Sequence, residues 1–495
     1  HLSFLTSVLF DSTTYVLIAL QFLIFLAFES MLANQLFRLL NRTGKKSMYG
    51  KQIACLIVIC WVYVQGLHIW ADATYYNAIT GFTRYLPAYR PIHAKRDLAR
   101  LGWIDSESLR NERVVEKLGD AFSEELSYPV KPITCPKKSG NQLNVLMIVV
   151  DALRPEMVDS KITPTIEQFK EKAIRFNNHY SGGTSSRMGA FSIFYGIPTT
   201  YWRTFHDNQR SSILIDKFLD HQYQVLGISS AGFGSPTVLD RTAFARVKDL
   251  NVKRLSSLDK ESNRLVTKKW LEWLSQYKSE RPFFSYLHYD PPMNAIDSID
   301  FNLIPKQFLT KETDEHLKEV GRYTQSILFV DSEIDTILES LKRGELLKET
   351  VIIITSDHGY ELNDYDTGYY GHASNYSHAQ LKTPFFMLWP NRDAKEFTQR
   401  TSHNDIVPTL LTEVLGCSNP ASDYSSGFNL FSGESWEFLV TGSYDSYAIV
   451  SDDQVVVSYG GYYEVMNQDY QPTSSGDLDK SLLESAMKEM KRFYK

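Results

Sequence analysis

Residues 144–151 read NVLMIVVD and residues 351–359 read VIIITSDHG. Each is an unbroken apolar run that stops at a carboxylate, Asp151 in the first and Asp357 in the second, with His358 and Gly359 behind the latter. A run that is apolar at every position is buried on both faces, as parallel strands covered by helices are. Open α/β sheets place their sites at the carboxyl edge of such strands. Between the two runs lies a turn, Gly182-Gly183-Thr184. Two carboxylates, an imidazole and a hydroxyl together suit a divalent metal.

Further apolar runs at 223–229, 283–289 and 384–389 read as strands of the same sheet. Ile327, Val330, Ile334, Ile337, Leu338 and Leu341 recur at helical spacing, and Lys342 and Arg343 before Gly344 mark a helix end. Thr163 followed by Pro164 predicts an N-cap and first helical position after the first strand. The charge-rich residues 311–318 read as a solvated helix face, 448–465 as hairpins around Gly460-Gly461, and 481–493 as a terminal helix. The fold class is α/β, a sheet covered by helices on both faces.

The chain has 495 residues, 43% of them hydrophobic, which is enough for one large domain and a smaller region. It begins at His1 without a Met and reads as part of a longer protein. A net charge of −6 gives no global basic field, which argues against a nucleic-acid partner. Cys55 and Cys60 sit in an apolar stretch as small hydrophobes, whereas Cys135 and Cys417 can pair if their region lies outside the cytoplasm.

Residues 15–28 (YVLIALQFLIFLAF) and 53–70 (IACLIVICWVYVQGLHIW) approach spanning length, the alternative being two buried core helices. Arg38, Arg42, Lys45, Lys46 and Lys51 between them, against Glu29, put that connection in the cytoplasm and everything after Trp70 outside. His68 reads as an interfacial or helix-contact residue rather than a ligand. Arg84, Arg90, Lys95, Arg96 and Arg100 then accompany Tyr85, Tyr89 and Trp103. This stretch either holds anionic lipid phosphates at headgroup level or is a solvated linker helix.

Asp151, Asp357 and His358 offer hard oxygen and imidazole ligands for Zn, Mn or Mg, and Thr184 completes the set. A threonine hydroxyl is a weak nucleophile at neutral pH, and metal coordination would activate it. The glycines before it permit close backbone approach, and a helix starting near Ser185 would turn free N–H groups toward an anion. Arg187 could add a fork for phosphate or sulfate oxygens.

VLMIVVDALRPE, SGGTSSRMGAFSIFYGIP, VIIITSDHGYE, GHASNYSHAQLKTPFFMLWP and SHNDIVPTLL occur in the order found in the sulfatase and phosphoethanolamine/lipoteichoic-acid transferase branch of the alkaline phosphatase superfamily. With WADATYY and the basic stretch behind it, the chain resembles the YejM (PbgA) family of Gram-negative inner-membrane proteins. The resemblance implies a mixed sheet sandwiched by helices behind N-terminal transmembrane helices. It divides the chain into residues 1–73, the last two spans of a longer anchor; 74–140, a basic juxtamembrane linker; and 141–495, a periplasmic sulfatase-like hydrolase domain.

Carried over, the family pattern makes Asp151, Asp357 and His358 ligands of one divalent metal, Thr184 ligand and nucleophile, and His372 a substrate-binding or acid-base residue. His378 and His288 fall near substrate-binding positions, and His403 reads as structural or as support for the ligands. Two departures matter: TSSR lacks the C/S-x-P-x-R motif that yields formylglycine, and Ala152 stands where sulfatases place another Asp. Both favour metal-assisted phosphoryl chemistry over sulfuric ester hydrolysis. The resemblance also implies a non-catalytic alternative, a lipid-binding regulator of outer-membrane homeostasis. That regulator would sense cardiolipin or lipopolysaccharide and act on a membrane-protein partner.

Overall fold

The computed structural model describes residues 46–73, 92, 98, 125–136, 142–309, 314–365, 369–444, 446–459, 463–473 and 479–495. Two compact units divide the chain, residues 1–116 with 474–476, and residues 117–473 with 477–495. In the first, helix α1 (Lys46–Ala73) carries the second apolar run. Its side chains Leu56, Val58, Ile59, Trp61, Val62 and Tyr63 are exposed. Among the described residues no helix is long and apolar enough to cross a membrane. His68 is buried with Nδ1 3.4 Å from the Ile92 carbonyl, and Gln65 Oε1 accepts from the Ile92 N–H at 3.0 Å. The first apolar run and Arg84, Arg90, Lys95, Arg96 and Arg100 lie outside the described residues.

The second unit runs β1 (Asn144–Val150), α2 (Pro164–Lys172), β2 (Ile174–Phe176), β3 (His179–Tyr180), α3 (Ser186–Tyr195), α4 (Ile213–Asp220) and β4 (Gln224–Ser229). It continues through α5 (Asp259–Gln276), β5 (Phe283–Tyr289), α6 (Asp314–Arg343), β6 (Thr350–Thr355), β7 (Glu361–Leu362), β8 (Tyr370–Gly371), α7 (His378–Leu381) and β9 (Phe385–Leu388). The last elements are β10 (Glu396–Phe397), β11 (Thr401–Ser402), β12 (Phe438–Gly442), β13 (Tyr447–Ser451), β14 (Val455–Ser458), β15 (Tyr463–Met466) and α8 (Lys480–Lys491).

Seven strands form the main sheet in the order β10-β2-β9-β6-β1-β5-β4. β6, β1, β5 and β4 are parallel, while β9 runs antiparallel to both β6 and β2, so the sheet is mixed. The unbroken apolar runs follow from burial on both faces. Val145, Met147 and Val149 join one core with α3 and α4 residues, whereas Leu146, Ile148 and Val150 join the other with α2, α5 and α6 residues. The helical stripe Ile327, Val330, Ile334, Ile337 and Leu341 lies in that second core.

β12 to β15 form an antiparallel meander on which α8 packs through Ala486 and Met490. Residues 125–136 are built into this unit. Ser127 N–H donates to the Phe493 carbonyl at 2.8 Å, and Cys135 is disulfide-bonded to Cys417.

Thr163 is the N-cap of α2 and Pro164 its first residue, yet the Thr163 hydroxyl makes no cap bond; it donates to the Met157 carbonyl instead. The orphan N–H groups of Thr165 and Ile166 are met by Asp331 of α6, which accepts from each at 2.9 Å. One buried carboxylate thus caps α2 and ties it to α6. Replacing Asp331 with Ala should cost about 1–2 kcal/mol of stability, measured by urea denaturation of the full chain.

Candidate metal centre

Three adjacent strands bring the ligands together. Val149 of β1 stands opposite Thr355 of β6 and His288 of β5, so Asp151 and Asp357 both leave the sheet two residues later at one edge. Asp151, His288 and Asp357 each offer a ligand atom, and these atoms lie within 4.8 Å of one another. His358 Nε2 is 3.6 Å from Asp151 Oδ1 and 3.6 Å from Asp357 Oδ2. His288 Nε2 is 3.6 Å from Asp151 Oδ2 and 3.9 Å from Asp357 Oδ2.

The surrounding bonds aim these groups inward. Asp357 Oδ1 accepts from the backbone N–H groups of Ala152 at 3.1 Å and His358 at 2.9 Å, leaving Oδ2 without a hydrogen-bond partner. His358 Nδ1 lies 2.8 Å from the Gly359 carbonyl, to which it can only donate, so Nε2 keeps its lone pair for the cluster. His288 Nδ1 is 3.2 Å from Ser229 Oγ. Ala152 holds φ at 59°, a left-handed conformation unfavourable for alanine, and Tyr323 Oη donates to its carbonyl at 2.7 Å.

Electrostatics follow from burial and like charge. Asp151 is pushed up to about 7, first by burial and then by the charge of Asp357. Burial acts upward on Asp357 too, but the two imidazoles beside it, His358 and His288, and the backbone N–H of Ala152 outweigh it and hold this carboxyl well below the ordinary range. Burial acts to lower His288, but the carboxylates of Asp357, Asp151 and Asp290 around it outweigh that and raise it. The cluster keeps a proton where a cation would sit. Two carboxylates and two imidazoles with bare inward atoms fit a divalent metal of the Zn or Mn type, and the donor set itself does not choose between them.

The hydroxyl that meets the cluster belongs to Ser186. Its Oγ donates to Asp151 Oδ2 at 3.0 Å and lies 3.3 Å from His358 Nε2. Ser185 is the N-cap of α3 and Ser186 its first residue, so this oxygen sits where the helix presents unpaired N–H groups. A Cβ on Gly189 would meet the Asp357 carbonyl oxygen at 2.0 Å, and one on Gly183 would meet Met188 Cβ at 2.2 Å; the glycines let α3 approach this closely. The pair of serines at the predicted helix start was the signal for Ser186. His288, expected from the family pattern near a substrate-binding position, stands instead among the carboxylates as a candidate ligand.

Thr184 is fully buried, and its Oγ1 has no hydrogen-bond partner. Its N–H donates to the Gly442 carbonyl at 3.1 Å, and its carbonyl accepts from Ala373 N–H at 2.7 Å. That last bond ties the turn to His372, whose ring stacks on His358 with centroids 4.4 Å apart. Arg187 is buried, with Nε donating to the Pro236 carbonyl at 2.6 Å and its guanidinium over the rings of Trp202 and Tyr444. His378 stands edge-on to Tyr180. His403 is wholly buried between Ser192 and Thr383 and is lowered to about 3, chiefly by burial.

The family model described as Sulfatase matches residues 144–415, and one described as Domain of unknown function (DUF3413) matches residues 4–135. The chain is 26% identical over 473 residues to "Inner membrane protein YejM" of Salmonella typhimurium, covering 95% of this chain and 75% of that one. It is 25% identical to an uncharacterized protein of Haemophilus influenzae, over 88% and 68% of the two chains. Among solved structures, an alkaline phosphatase superfamily protein from Vibrio parahaemolyticus superposes with TM-score 0.51 at 15% identity, over 78% of this chain and 97% of the other. Phosphonate monoester hydrolase of Agrobacterium radiobacter gives TM-score 0.52 at 14% identity, over 71% and 95%. These two likenesses establish the fold as alkaline phosphatase-like.

A cation entering this cluster must expel the proton that Asp151 holds up to about 7. Calorimetric titration with Mn or Zn should therefore show proton release below about pH 7, with affinity falling up to about tenfold per unit as pH drops further. Asp357→Asn should abolish binding.

Proposed function

The chain belongs to the sulfatase family, and on that premise we propose that it is a membrane-anchored, metal-dependent hydrolase or transferase acting on phosphate esters. We place its working domain on the periplasmic face of a bacterial inner membrane and its substrates among anionic envelope lipids such as cardiolipin or lipopolysaccharide. The observation that carries the chemistry is the Ser186 hydroxyl, hydrogen-bonded to a carboxylate of a buried ligand cluster. Neither Ser186 nor Thr184 is followed by the Pro and Arg of a formylglycine motif, which favours direct attack by a hydroxyl over sulfate ester cleavage.

Asp151, Asp357, His288 and His358 would hold the metal, which when bound supplies a Lewis acid that lowers hydroxyl pKa and offsets phosphoryl charge. Ser186 Oγ gives its proton to solvent and forms the bond to phosphorus as the ester oxygen departs, taking a proton from His372. The N-terminal N–H groups of α3 face the charge that builds on the phosphoryl oxygens. Water or a lipid hydroxyl then gives a proton to His372 and takes the phosphoryl group, and Ser186 recovers a proton from solvent. Thr184, on the turn that Ala373 and Gly442 pin, remains the rival nucleophile.

Assays of phosphomonoesters and phosphodiesters with added Mn, Zn or Mg test this reading. Ser186→Ala should lower kcat by about 10³-fold or more, while Thr184→Ala keeps most of the activity. A collapse in Thr184→Ala with Ser186→Ala intact would give the role to Thr184, and no turnover of any ester would remove the enzymatic reading.

The likeness to YejM along 95% of the chain favours a second reading, a lipid-sensing regulator that uses the domain as a scaffold. In a complementation assay that reading expects Lys95→Glu with Arg96→Glu to abolish function and Ser186→Ala to preserve it.

A further inference from the structure

Beside the metal centre, three basic side chains gather round one buried ring. The Tyr180 ring has Lys382 Nζ 5.5 Å and Arg400 Cζ 5.4 Å from its centroid, with the His378 ring edge-on at 5.9 Å. Their acidic company is thin. Arg400 pairs with Asp452, whose side chain is 80% exposed, and its Nη1 reaches the Glu437 carbonyl at 3.5 Å. His378 Nε2 is buried without a hydrogen-bond partner; burial and then the charge of Lys382 act to lower this ring, the Gln468 side chain acts to raise it, and Asp469 is the weakest influence on it. Lys382 is partly buried and makes no ion pair among the described residues. Burial and the charge of Arg400 act to lower it, and Glu156, from the turn after β1, is the one acid that acts to raise it.

A sheltered ammonium without a counter-ion is costly, and a second cation beside it adds to the cost. An anion removes both penalties. We propose that Lys382, with His378 and Arg400 behind it, forms a subsite for a tetrahedral oxyanion, a phosphate or sulfate group. Lys382 makes the contact as a mobile point charge, and the two others supply field. The subsite shares its backbone with the metal centre: Tyr180 bridges to Lys382, Ser181 N–H donates to the Leu381 carbonyl at 2.8 Å, and this strand leads directly into Gly182 and Ser186. A substrate held at Ser186 would thus present a second anionic group here. The binding claim itself does not depend on catalysis.

The test uses the full chain stripped of metal with EDTA and inorganic sulfate as probe, against chloride at equal ionic strength. Sulfate should raise the Tm of the wild type and of Asp357→Asn, and Lys382→Ala should weaken sulfate binding about tenfold or more by calorimetry. If Lys382→Ala folds poorly, Lys382→Gln and the side-chain NMR shift of Lys382 under sulfate titration give the same reading. Equal sulfate binding in wild type and Lys382 variants overturns the subsite. So does a sulfate effect lost in Asp357→Asn alone, or no sulfate effect in the wild type. Competition by a short-chain phosphatidic acid assigns the anion to a lipid headgroup, and failure to compete assigns it to the free ion.

Discussion

Two carboxylates facing one another inside a protein repel, and here one is buried and the other only slightly open to water. Asp151 and Asp357 are put in that position by the sheet itself, since β1 and β6 are neighbours in parallel register and both end at an aspartate. The surroundings answer the cost in three ways. Backbone N–H groups neutralise one oxygen of Asp357, one of them at the price of a left-handed Ala152. Two imidazoles approach from β5 and from the residue after Asp357. Asp151 is raised to about 7, so it takes up a proton as the solution turns acidic. None of these removes the underlying demand for a cation, because Asp357 Oδ2 still lacks a hydrogen-bond partner.

The elements that carry the cluster were readable because burial on both sheet faces leaves no polar position in a strand. The first strand and the one ending at Tyr289 occupy the predicted residues, 144–150 and 283–289; β4 and β6 differ by one residue at one end, and β9 is one residue shorter at each end. The antiparallel placing of β9 in a mixed sheet was implied by the family resemblance rather than by the apolar pattern, since a buried strand reads alike in either direction. The cap of α2 was half readable: Thr163 marks the start, but the bonding group, Asp331, comes from a helix about 165 residues away. Local sequence carries no signal for such a partner.

The site divides in the same way. Asp151, Asp357 and His358 follow from strand ends, and the structure sets all three around one point. Ser186 and His288 depend on which residues of a turn and of a neighbouring strand face that point, which spacing does not encode. His288 lies on the β5 face of Phe284 and Tyr286, residues of the first core, and its distances to Asp151 and Asp357 are what reveal that its side chain meets the carboxylates.

Besides β5, which brings His288, four segments converge on the cluster: the ends of β1 and β6, the start of α3, and the turn at residues 372–373 that grips Thr184. A cation drawn in by the two carboxylates would relieve repulsion at the junction of all four, and would therefore stabilise the domain as well as equip it for chemistry. This couples the catalytic and regulatory readings. An enzyme needs the filled cluster to activate a hydroxyl, and a sensor built on the same scaffold needs it to hold the loops that would face the lipid. The ligands and the nucleophile are therefore under different constraints: removing a carboxylate disturbs the fold in either case, whereas removing the Ser186 hydroxyl leaves the charge balance intact and touches only the chemistry.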